Sequence, residues 1–193
     1  MPSRPTFTGR RLRPRVATAA MAGSTLLLVA VTVARLGPDP RPVGIVLVWL
    51  ACITPPLVCI DVAERRLPNR LVLPALAIAV PLAAVDAAVR QVAPFEPLLM
   101  GFAVGAVLYV CALLGGLGMG DVKLGALIGL AVGCFGMSAA LLFAMVSVSS
   151  AGLAGVVVVL LARSRGGSAG WRTRIPFGPF LLLGCWSAIA ASA

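Results

Sequence analysis

Residues 43–61 read VGIVLVWLACITPPLVCID. Eighteen uncharged, mostly apolar residues run unbroken to one carboxylate, Asp61. A bilayer-crossing helix uses about 20 such residues, so the stretch predicts a membrane span with an ionisable group at its end. The pattern repeats in both directions. Long apolar runs bounded by charge, proline or glycine cover 16–36, 43–60, 71–89, 97–115, 122–137, 139–162 and 177–193. Seven spans leave only tails and short loops in a chain of 193 residues. The fold class is therefore an all-α polytopic membrane protein with no second globular domain. Composition agrees: 60% of residues are hydrophobic and 11% charged, against about 45–50% and about 25% in a soluble domain.

The charges give the orientation. The net charge is +10, yet lysine occurs once, at Lys123, and the arginines lie between apolar runs. Nucleic-acid binding would need a folded basic face, so no nucleic-acid partner is expected, and the partners are membrane lipids and a substrate. With a cytoplasmic N-terminus, thirteen of the sixteen basic residues fall inside, and only Arg35, Arg41 and Arg90 fall outside. Positive charge concentrates on the cytoplasmic side of membrane proteins, so seven spans run from an inside N-terminus to an outside C-terminus. Residues 1–15 hold five arginines, three prolines and no acid, which predicts a disordered basic tail against the anionic inner leaflet. The run 16–36 is longer than the about 7–15 residues of a secretory signal core and is read as a retained first span.

Histidine is absent, which excludes Ser-His-Asp and Cys-His nucleophiles and zinc sites built on HExxH. Cys52, Cys59, Cys111, Cys134 and Cys185 all lie in apolar runs, and no two form a CxxC pair. They read as small buried apolar residues, without disulfides or metal. Acid-base chemistry then falls to Asp39, Asp61, Glu64, Asp86, Glu96 and Asp121. Asp39 and Glu96 stand beside prolines in short outer loops and read as solvated. Asp86 precedes Arg90 by four residues, the spacing of a helical ion pair. Glu64 follows Asp61 by three residues among Arg65 and Arg66, which reads as local charge balance.

Asp61 and Asp121 are different. Asp61 closes its apolar run at the inner surface, and Asp121 stands between Gly118-Met119-Gly120 and the run starting at Val122. The two share a depth and a side although 60 residues separate them. Ionisable groups at membrane depth are costly and mark function by default. Gly118 and Gly120 leave room for another backbone to approach, as a peptide-binding carboxylate requires.

Three ordered stretches carry a family resemblance. They are Asp61-Val-Ala-Glu-Arg-Arg-Leu-Pro68-Asn69-Arg-Leu-Val-Leu-Pro74, Gly118-Met119-Gly120-Asp121-Val-Lys123-Leu124 and Ile175-Pro176-Phe177-Gly178-Pro179-Phe180. Together they resemble the signature stretches of type IV prepilin peptidases, membrane aspartyl proteases of the Gly-x-Gly-Asp class to which archaeal preflagellin peptidases are related. The resemblance implies a six-span peptidase domain over 43–193, with the span 16–36 added ahead of it. It also implies Asp61 and Asp121 as the catalytic pair, with Pro68, Asn69, Gly118, Gly120, Lys123, Pro176 and Gly178 around them, and neither metal nor cofactor. The implied substrate is a prepilin or pseudopilin precursor: a short basic leader, a glycine at the cut, then a hydrophobic helix.

Bifunctional members carry a cysteine-bearing cytoplasmic insert near the N-terminus and also methylate the new N-terminus. No such insert occurs here, so the chain resembles the short, peptidase-only form. Presenilin-like proteases pair the Gly-x-Gly-Asp motif with a Tyr-Asp on the preceding helix, whereas Tyr109, the only tyrosine, is followed by Val110.

Hydrolysis by two carboxylates uses one ionised group to activate water and one protonated group to polarise the carbonyl. Two aspartates held together reach that state unaided, because like charges so close do not both ionise. The short run 122–137 rises only about 24 Å, below the roughly 30 Å hydrocarbon core, so local thinning or a water-filled funnel would bring water to the pair. Paired carboxylates also serve proton-coupled transporters, but those lie at the midplane, often between internal repeats, and no repeat is evident here. A non-catalytic pilus assembly factor would not need intact aspartates. The segment Pro176-Phe177-Gly178-Pro179 reads either as a rigid wall beside the pair or simply as the start of a helix with proline in its first turn.

Overall fold

The computed structural model describes residues 14–37, 41–64, 67–91, 95–114, 117–164 and 176–192. Residues 1–13 of the basic tail, Asp39, Arg65, Arg66, Arg165, Arg172, Arg174 and Ile175 lie outside the described residues. Among the described residues seven helices follow in chain order: α1 Pro14–Leu36, α2 Val43–Glu64, α3 Asn69–Val89, α4 Phe95–Leu113, α5 Met119–Gly133, α6 Met137–Ser164 and α7 Gly178–Ala191. There is no strand among the described residues. Five helices, α1 to α4 and α6, are long and apolar enough to cross a bilayer. This is an integral membrane protein of the all-α class.

The two remaining helices are short. At 15 and 14 residues, α5 and α7 rise only about 21–22 Å. They form the centre of the bundle, with Leu124, Leu127, Ile128, Leu181, Leu182 and Ile189 almost fully buried. The long helices surround them and present Leu26, Phe102, Leu113, Met145 and Val148 outward. In lipid an outward apolar side chain loses nothing by exposure, so helix association depends on close packing and hydrogen bonds instead.

The α4–α5 pair shows how that packing arises. Gly125, Gly129 and Gly133 recur every four residues along one face of α5. A β-carbon on Gly129 would lie 2.8 Å from the Met100 carbonyl oxygen, and one on Gly133 would lie 2.8 Å from Pro97 Cα. The two backbones touch because these positions lack side chains.

Helix α2 contains Pro55 and Pro56, which remove two amide donors from the helix interior. Next to them Thr54 Oγ1 donates to the Leu50 carbonyl at 2.7 Å and accepts from Trp186 Nε1 of α7 at 3.1 Å, a polar bond that joins α2 to α7.

Chain reversal places the end of α2, the starts of α3 and α5 and the start of α7 at one end of the bundle. At the opposite end the expected Asp86–Arg90 pair does not form. Asp86 Oδ2 instead meets Arg41 Nη2 at 2.9 Å, and Arg90 Nη1 donates to the Cys134 carbonyl at 2.6 Å. The reason is burial. Asp86 is 1% exposed and faces the neighbouring helices, where Arg41 reaches it, whereas Arg90 caps α3 at the surface.

Candidate active site

Asp61 lies in the last turn of α2, which continues through Glu64 because nothing between them breaks a helix. Its side chain is buried, at 4% exposure, while Glu64 three residues on is exposed. The two acids thus occupy different environments, and Glu64 stands outside the site. Asp61 Oδ2 accepts the backbone N–H of Gly178 at 3.0 Å.

Asp121 lies in the first turn of α5, at the third helical position after the N-cap Gly118. The first amides of a helix lack intrahelical acceptors, and a carboxylate there also favours the positive end of the helix dipole. Asp121 Oδ2 reaches back to accept the Gly118 N–H at 3.2 Å. Its other oxygen, Oδ1, is buried and has no hydrogen-bond partner among the described residues. Buried polar atoms are ordinarily paired. One such atom beside a second carboxylate is poised for a ligand, a water molecule or a peptide group.

The three sequence stretches converge at this end. Asp61 lies near enough to act electrostatically on Asp121. Gly120 packs directly on Leu67: a β-carbon there would approach Leu67 Cβ to 2.7 Å. Pro68 is the extended N-cap of α3, and Asn69, the first residue of α3, accepts a hydrogen bond through Oδ1 from Lys123 Nζ at 3.0 Å. The start of α5 is thus tied to the start of α3 by one backbone contact and one polar bridge.

Gly178 opens α7 with Pro179 in the first turn, so the segment is a helix start. It is also a wall against Asp61, since a β-carbon on Gly178 would lie 2.7 Å from Asp61 Oδ2. The two readings of this segment are compatible. Pro176 is half-buried just ahead of it. Sequence reasoning missed the Gly178 amide as the donor that fixes Asp61, and Leu67 as the partner of Gly120. Backbone donors and packing partners leave no mark in residue type. No cluster of ligating side chains able to hold a metal occurs among the described residues.

Residues 44–162 match the type IV leader peptidase family. The chain belongs to that family. It is accordingly a leader peptidase of the aspartic type, acting on prepilin-like substrates. The matched range contains Asp61 and Asp121 and stops before Pro176 and Gly178. No curated protein and no solved structure matches the chain.

Proposed function

We propose that this leader peptidase removes the short basic leader of a prepilin or pseudopilin precursor at the cytoplasmic face of the prokaryotic inner membrane, using Asp61 and Asp121 as one catalytic unit. One observation carries the reading: two buried aspartates from helices distant in sequence stand within electrostatic reach at one end of the bundle, each with one oxygen held by a glycine N–H. The fixed oxygens set the orientation of both carboxylates and leave the others for chemistry. The ionised member removes a proton from water, the water oxygen attacks the scissile carbonyl, and the protonated member hydrogen-bonds the developing oxyanion. The proton taken from water then passes to the leaving amine. Leu67, Pro68 and the Asn69–Lys123 bridge support the start of α5, and Pro176 and Gly178 support Asp61. The peptidase unit in this reading covers 43–193, with α1 as an additional span.

The cytoplasmic placement follows from the basic residues, thirteen of which lie on the side of the aspartates when the N-terminus is inside. Reporter fusions after Arg70 and after Arg165 are expected to read cytoplasmic; a periplasmic signal at either position overturns the placement.

Because the cysteines form no CxxC pair, the expected reaction is cleavage without methylation and without a metal. The test incubates purified chain with a precursor, chelator and S-adenosylmethionine, then measures the mass of the new N-terminus. A cleaved product bearing no methyl group is expected. An intact precursor or a methylated product contradicts the respective part of the proposal.

A further inference from the structure

The end of the bundle opposite the aspartates holds a polar cluster that the peptidase chemistry does not use. Arg41, two residues before α2, places Nη2 2.9 Å and Nε 3.4 Å from the two carboxylate oxygens of Asp86 on α3. The same Nη2 donates to the backbone carbonyl of Cys134, the C-cap of α5, at 2.9 Å. The guanidinium carbon also lies 4.8 Å from the centre of the Phe135 ring. Arg90 brings a second donor to the Cys134 carbonyl, and Asp86 Oδ1 accepts the Val43 N–H, the first amide of α2, at 3.5 Å.

Each contact answers a physical demand. The last carbonyls of a helix have no intrahelical donor, and α5 is too short to carry them out of a hydrocarbon core of about 30 Å while its other end stays at the opposite interface. Two guanidiniums on the Cys134 carbonyl supply the missing donors and face the negative end of the helix dipole. Arginine suits the task because its planar fork reaches a carboxylate and a carbonyl together, which the single point charge of lysine does not.

We infer that Arg41 is a positioning residue: by joining the start of α2 to the end of α5 through Asp86 and the Cys134 carbonyl, it fixes the axial register of the two helices that carry Asp61 and Asp121. The two helices touch each other sparingly and are linked mainly through α3 and α7, so little else ties them directly. A helix is a stiff rod, and sliding α5 at one end moves Asp121 by a similar amount at the other. A misplacement of about 1 Å, caused far from the chemistry, can cost about 10²-fold in rate.

The catalytic arm of the test rests on the peptidase reading, and a second arm does not. Arg41→Met and Arg41→Lys are made in the full chain. Precursor cleavage is measured as kcat and KM, and electron-spin resonance measures the separation of spin labels at Val62 and Met119, both exposed near the aspartates, with the native cysteines replaced. Arg41→Met is expected to lower kcat by about 10²-fold with KM changed less than about twofold, and to shift or broaden the label separation. Arg41→Lys is expected to fall between this variant and the natural chain. Where Arg41→Met does not accumulate in the membrane, Arg41→Lys carries the same test. A residue that only stabilises the fold lowers the melting temperature but leaves both the label separation and the kcat of folded protein unchanged; that result, or a loss confined to KM, overturns the inference. A natural chain that itself cleaves no precursor, while Arg41→Met still alters the label separation, assigns the failure to the peptidase reading instead.

Discussion

Asp61→Asn and Asp121→Asn are each expected to reduce precursor cleavage by about 10²- to 10⁴-fold, the usual worth of a general acid or base. Asparagine nearly matches aspartate in volume, and its oxygen can still accept the Gly178 or Gly118 N–H that holds the natural side chain. The variants therefore keep their place in the helices and lose only the proton chemistry. Glu64→Gln is the control. Glu64 is exposed while Asp61 is buried, so its amide should leave cleavage within roughly twofold, the range of a solvated surface charge with no part in the chemistry. The measurement is the rate of leader removal by purified variants on one precursor. Robust cleavage by either aspartate variant removes that residue from the chemistry, and a Glu64 variant as inactive as Asp61→Asn shifts the assignment to Glu64.

Gly178→Val is expected to cost about 10²-fold in the same assay, the scale of a small misplacement of a catalytic group. Its β-carbon would stand 2.7 Å from Asp61 Oδ2 and 3.3 Å from Asp61 Cγ, and a carboxylate on a short side chain yields only by leaving its position. The N–H that fixes Asp61 would move with it. The helix start itself is unaffected, since Pro179 stays in the first turn of α7, and insertion into the membrane should be normal. Gly152→Val is the matched control, because nothing lies within 4 Å of a β-carbon at Gly152 on α6. Full activity of Gly178→Val would mean that the segment serves only to begin a helix.

The helices were legible because a membrane span announces itself by length and hydropathy alone. All seven appear within a few residues of the apolar runs. The errors sit at the ends, where local chemistry decides. Helix α2 runs past Ile60 to Glu64 because no glycine or proline follows Ile60 to stop it there. Helix α5 starts at Met119, three residues ahead of the apolar run, because Gly118 and Asp121 cap it. It ends at Gly133 because Gly136 takes a positive φ of 96° in the turn to α6, a conformation that glycine adopts freely.

The candidate site was legible in its carboxylates, since charge at membrane depth is rare and few acids exist to choose among. Its supports were legible only in part: the resemblance put Gly178 beside the pair, but chains that are apolar on every side carry no signal for which helix packs on which, so the Gly178 N–H as the donor to Asp61 and Leu67 beneath Gly120 emerge only in three dimensions. Asp86 shows the same limit: spacing offered Arg90 four residues away, and burial selected Arg41 from the segment ahead of α2.

The joint action of Asp61 and Asp121 is tested most directly by the double variant. Cleavage rates are measured for Asp61→Asn, Asp121→Asn and the two combined, on one precursor and under one set of conditions. Residues that act as a unit are strongly non-additive, because removing either already removes the function of both. The double variant is therefore expected to cleave about as fast as the slower single variant. A loss equal to the product of the two single losses would mean that the aspartates contribute independently, and would contradict a shared catalytic pair.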